Sequence, residues 1–171
     1  MEIKFTIPDK LIEKYRRDIN VSWWIDRNFA TFNKLIDKIT KLLLRLNIKI
    51  IRLTKKQIKL PDMESIINIL LAIEHETENL HKTVEDEILL AKYAEPPETE
   101  IAEYYTANIE PITKKLYKKA RELYEHSYET MLEGDFPSTL KHIEEEKLKI
   151  SKELYELKAI LDSTLEILRH A

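Results

Sequence analysis

From Ile25 onward the apolar residues of this chain recur in alternating steps of four and three, through Phe29, Phe32, Ile36, Ile39, Leu43 and Leu46. That spacing keeps one apolar stripe on one face of a helix for several turns and leaves the stripe in need of partner helices. Three later segments carry the same rhythm. Ile66, Leu70, Ile73, Thr77, Leu80, Val84 and Ile88 define a second helix that stops before Glu95-Pro96-Pro97-Glu98. A third runs from Glu100 through Tyr105, Ile109, Ile112, Leu116, Ala120, Leu123, Ser127 and Met131, with Pro111 expected to kink it and Gly134 to end it. A fourth opens at Pro137-Ser138 and carries Leu140, Ile143, Ile150, Leu154, Leu157, Leu161 and Leu168.

Gly134 is the only glycine among 171 residues, too few for the turns of most β folds. The expectation is an all-α, coiled-coil-like, elongated antiparallel bundle with rods of about 45–50 Å at a rise of about 1.5 Å per residue. A chain of this length supports one domain with a real core. The N-terminus is less regular: Glu2–Thr6 reads as a short β element or an arm, and Pro8-Asp9 opens a short helix over Lys10–Asp18. At Ile48–Thr54 the β-branched residues alternate with period two while also continuing the helical rhythm, so strand and helix both fit. Pro61 ends that segment in either case, and Asp62 is the expected N-cap of the next helix.

Charge divides at the same place. Residues 1–60 hold 15 Lys/Arg against 6 Asp/Glu, and residues 61–171 hold 13 against 25, so the net charge of −3 conceals a basic N-terminal segment and an acidic three-helix part. Such asymmetry bears on partners more than on chemistry. The basic segment also contains Trp23 and Trp24, adjacent on a helix and so about 100° apart, which leaves one ring partly exposed. Basic groups neutralise phosphates and exposed aromatics stack on bases. Arg16, Arg17, Trp23, Trp24, Arg27, Arg52, Lys55 and Lys56 are therefore the candidate contacts to nucleic acid or an acidic protein surface. The competing reading makes Lys34, Lys38, Lys41, Arg45 and Lys49 the solvated face of a helix, or lays the basic segment on the acidic helices of its own chain.

The composition excludes several chemistries. Without cysteine there is no disulfide, thiolate nucleophile, Fe–S cluster or Cys-based zinc site, which suits a cytoplasmic protein. One glycine rules out a Walker loop or a Gly-rich dinucleotide turn, and no cofactor is expected. No stretch approaches about 18 consecutive apolar residues, so no membrane span is expected. Abundant Ile, Lys and Glu with a single Gln is thermophile-like usage.

Glu74, Glu78, His81 and Glu85 share one helix face, and Glu78-x-x-His81 has the spacing of a di-iron ligand pair, although no second such pair occurs. Around them, IEHETENLHKTVEDEI resembles the acidic helix of PhoU-type phosphate-signalling proteins, whose motif is an acid, three intervening residues and then Asp, matched by Glu74 and Glu78 with Glu replacing Asp. EGDFPSTLKHIEEEKLKISKEL resembles the helix–Gly-Asp–helix hairpin of that family, with Lys147 where an acid is expected. This likeness spans at most residues 64–160 and implies a regulator that binds metal or a partner through acidic helix faces. Arg121, His126 and Tyr128 match the Arg-x4-His-x-Tyr spacing of HEPN-type helical ribonucleases, which implies that Arg121 would hold a phosphate and His126 would act as acid or base. The leading expectation is a non-catalytic accessory or adaptor subunit that meets nucleic acid or a nucleic-acid-processing assembly through the basic segment, with a protein partner or a second copy on the helix seams.

Overall fold

The computed structural model describes residues 6–54 and 56–170, and the described chain is helical almost throughout. Helices α1 (Asp9–Arg17), α2 (Ile19–Leu53), α3 (Leu60–Lys92), α4 (Thr99–Asn108), α5 (Glu110–Leu132) and α6 (Phe136–His170) follow one another with short connections. Among the described residues there is no strand; Glu2–Phe5, where a β element was expected, lie outside them. The four long helices form an antiparallel bundle in which α2 packs on α3 and α6, and α5 closes the circuit between α3 and α6. At 35 residues each, α2 and α6 extend about 50 Å.

The helical rhythm wins at Ile48–Thr54. Leu46, Ile50 and Leu53 are buried while Ile48 and Ile51 are exposed, a four-three pattern that a period-two strand would not produce. Pro111 breaks the third segment instead of kinking it. It cannot donate to the Ala107 carbonyl, so α4 ends at Asn108, and Pro111 sits in the first turn of α5, where a missing N–H costs nothing. Pro61 likewise lies inside the first turn of α3, and Asp62 accepts from the Lys59 backbone N–H at 3.1 Å one turn into the helix, not as the N-cap itself. Gly134, at φ +87°, turns the chain between α5 and α6 in a conformation that favours glycine.

One core runs the length of the bundle and includes Leu11 of α1 and Leu168 of α6. Its largest fully buried side chains are aromatic: the Phe29, Phe32 and Tyr105 rings lie 5.9–6.0 Å apart, and the buried Tyr105 hydroxyl donates to Asn28 Oδ1 at 2.8 Å. The Tyr104 and Thr164 hydroxyls bond each other beside it.

Helices α1 and α4 close one end of the bundle through charge. Lys14 and Lys10 reach Glu100 at 2.7 and 2.9 Å, Arg16 donates to the Leu168 and Ile167 carbonyls at the end of α6, and Arg169 reaches Asp26 at 3.2 Å. The hydrogen bonds of Lys14 and then Lys10 hold the Glu100 carboxyl down to about 2. A carboxyl held below its unfolded value stabilises the fold above that value and loses the contribution as it protonates.

Two outcomes follow. Replacing Glu100 with Gln lowers the melting temperature at pH 7, and the gap from the wild type, followed by circular dichroism, closes as pH falls from about 4.5 to about 2. Tyr105→Phe strands the Asn28 side chain and costs about 1–3 kcal/mol in a urea titration.

Candidate functional site

Most basic residues at the α1 end are engaged within the chain. Arg16 caps α6, Lys10 and Lys14 hold Glu100, and Arg27 lies 3.8 Å from Glu87. Beyond the far end of α2, Lys56 pairs with Asp62 at 3.4 Å. Arg17 is exposed beside Glu13, Asp18 and Ile19 and makes no ion pair among the described residues. Lys55 lies outside the described residues.

A different set stays open. Lys34, Lys38, Lys41, Arg45, Lys49 and Arg52 make no ion pair or side-chain hydrogen bond among the described residues, and all but the half-buried Lys49 are exposed. Steps of three and four hold them in one arc of α2, because the stripe opposite is committed to the core. Where α2 crosses α3, Lys41, Arg45, Lys49 and Arg52 rim a groove of about 550 Å³. Its walls are Leu42, Leu44 and Ile48 from α2 with Ile69 and Ala72 from α3, and its only uncharged polar lining is Ser65 and Asn68. Among the described residues no carboxylate lines it. Near it on α3, the Asp62 carboxyl is held below its usual range chiefly by the Lys59 backbone N–H, with the charges of Lys56 and Lys49 adding to it.

The aromatic candidates lie elsewhere. Phe29 and Phe32 are core residues, and Trp24 is half-buried with its indole N–H donating to Glu87 Oε2 at 3.1 Å. Trp23 is the exposed member of the pair, at 62%, with the Arg27 guanidinium 4.8 Å above its ring. Both indoles belong to a patch with Leu89, Leu90 and Tyr93, some 22 residues or about 30 Å along α2 from Arg45. The residues the sequence grouped as one surface, Trp23, Trp24 and Arg27 with Arg52 and Lys56, thus occupy opposite ends of the molecule.

A second groove, of about 470 Å³ between α3 and α5, gathers Glu78, His81 and Glu85 with Lys82, Tyr117 and Arg121. Its acids are already matched. Lys82 bonds Glu78 at 2.6 Å and, with Tyr117, holds that carboxyl below its usual value. The His81 ring nitrogens meet Thr113 Oγ1 at 2.9 Å and Glu85 Oε1 at 3.1 Å, and its ring stacks on Tyr117. Glu74, one turn away, is pushed up by burial and by the neighbouring Glu78 and Glu125 carboxylates. Among the described residues no three His, Asp or Glu side chains converge as a metal site would require. Arg121 and His126 do not share a site: Arg121 lies over Tyr117 beside Glu125, whereas His126 packs on His142 of α6 with ring centroids 4.3 Å apart. Tyr128 is partly exposed and packs on Tyr124.

Lys34, Lys38, Lys41, Arg45 and Lys49, read from sequence as a solvated face, are therefore, with Arg52, the α2 cations that make no ion pair among the described residues. The signal that marks Lys41, Arg45, Lys49 and Arg52 is local: they flank Leu44, Ile48 and Ile51, a second apolar series on the same helix that the main seam does not use.

The unequal environments of the indoles give a direct check. With Trp24 alone present, in Trp23→Phe, emission is blue-shifted and resists iodide quenching; with Trp23 alone, in Trp24→Phe, it is red-shifted and readily quenched. Equal quenching in the two variants would contradict this arrangement.

Comparison with protein-family models, with curated proteins and with solved structures finds no match to this chain. The functional reading rests on the geometry of these surfaces.

Proposed function

We propose that this chain is a non-catalytic accessory subunit that holds an anionic macromolecular partner along α2. The observation that carries the reading is the row Lys41, Arg45, Lys49 and Arg52: four cations without intramolecular partners among the described residues, rimming a groove with no acid in its lining. Steps of four and three place one positive group about every 6 Å along the helix axis, a linear array suited to an extended charged partner and larger than a small anion needs. The groove lining pairs no nucleophile with a base, which supports binding over turnover. Because the cations face solvent, the attraction is screened by salt.

Retention on immobilised heparin tests this. The protein carries a net charge of −3, so retention has to come from a local patch. The wild type is retained at low salt, and a variant carrying Lys41→Glu, Arg45→Glu, Lys49→Glu and Arg52→Glu flows through. A second variant reverses Lys114, Lys118, Lys141 and Lys152, with the same change in net charge, and stays bound. Equal loss in both variants would overturn the reading.

A further inference from the structure

We infer that the element docked in the α2–α3 groove is an acidic amphipathic helix of a partner protein, laid alongside α2. The inference rests on the function proposed above and names the partner's chemistry.

The groove is charged only at its rim. Leu44 and Ile48 of its wall are 59% and 43% exposed, Ile51 beyond the lining is 61% exposed, and their steps of four and three repeat those of the buried Leu43, Leu46, Ile50 and Leu53. Helix α2 thus carries two seams, one filled by its own chain and one open. An open seam bordered by cations is complementary to a helix with apolar a and d positions and flanking Glu or Asp, as the e and g positions of a coiled coil are. From Lys41 to Arg52 the array spans about 16 Å, enough for three turns of a partner helix.

Nucleic acid fits less well, because the groove presents no aromatic ring for a base to stack on and its walls are aliphatic. A bilayer surface also fits less well, since the face lacks the Trp or Phe anchors of interfacial helices. Acids near it on the chain include Asp37 on α2 and Asp62, Glu64 and Glu76 on α3, none of which lines the groove.

The test uses the full chain and labelled probes in fluorescence anisotropy at low and high salt. One peptide of about three heptads has Leu at a and d and Glu at e and g; a second has the same Glu residues with Ser in place of Leu. A mixed-sequence DNA duplex, a single-stranded RNA and phosphatidylserine vesicles complete the set. The Leu/Glu peptide is expected to bind at least about tenfold more tightly than the Ser/Glu peptide and the other probes, since each Leu it buries removes apolar surface from water. Leu44→Ser with Ile48→Ser abolishes that preference while heparin retention persists, and Lys49→Glu with Arg52→Glu removes both.

Failure of the Leu/Glu peptide to bind a protein that still binds heparin overturns the helix assignment and leaves the accessory-subunit reading standing. So does equal or tighter binding of duplex, RNA or vesicles, or a solution mass of two chains that Leu44→Ser with Ile48→Ser returns to one. Loss of heparin retention in the wild type overturns both.

Discussion

The interaction on which the rest of this structure depends is the packing of one apolar stripe of α2 against α3 and α6 over 35 residues. A helix that long cannot rotate to bury anything else, so every residue off the stripe has its direction fixed by its place in the sequence. The basic arc points outward because Phe29, Phe32, Ile36, Ile39, Leu43, Leu46 and Ile50 point inward. Exposure of the candidate surface is thus a consequence of core formation, and no separate device is required to present it.

Electrostatics then divides the molecule lengthwise. At the end formed by α1, α4 and the C-terminus of α6, cations meet carboxylates or helix-terminal carbonyls and close the bundle. Arg16, a residue that looks available in the sequence, is a structural cap there. Along the second half of α2 the neighbouring faces of α3 supply Ser65, Asn68, Ile69 and Ala72, which offer no compensating charge. On the α6 side the contacts are amide-based, Lys147 to Asn47 and Lys158 to Asn33, so they too leave the α2 cations untouched. Carboxylates of the acidic part thus hold Lys10, Lys14, Arg27 and Lys56, but among the described residues they pair with none of Lys34, Lys38, Lys41, Arg45, Lys49 and Arg52.

The seams were legible because burial at steps of three and four is a local property: Ile25 to Leu46, Ile66 to Ile88 and Leu140 to Leu168 all line the core as their spacing requires. The end of α3 before the Glu95-Pro96 break and the turn at Gly134 were legible for the same reason, since proline and glycine act on their own backbone. The break at Ile109 was not, because kinking and breaking differ by only a few hydrogen bonds and the packing of α4 decides between them. The partners of Arg16, Lys14 and Trp24 were out of reach too. They lie 152, 86 and 63 residues away, and charge pairing across such separations has no periodic signature. Arg16 and Arg27 were grouped with Arg52 for that reason: counting charge identified the basic segment, but only the fold distinguishes the cations it pairs from those it leaves open.

The central claim is that Lys41, Arg45, Lys49 and Arg52 are not quenched within the chain, and the stability of the variant with all four changed to Ala tests it most directly. Closely spaced like charges repel, and unpaired surface side chains contribute little to folding, so urea denaturation at low salt should leave the unfolding free energy within about 0.5 kcal/mol of the wild type or raise it. A loss of about 2 kcal/mol or more, relieved by added salt in the wild type, would show that acidic groups of the same chain hold these cations and would contradict the account.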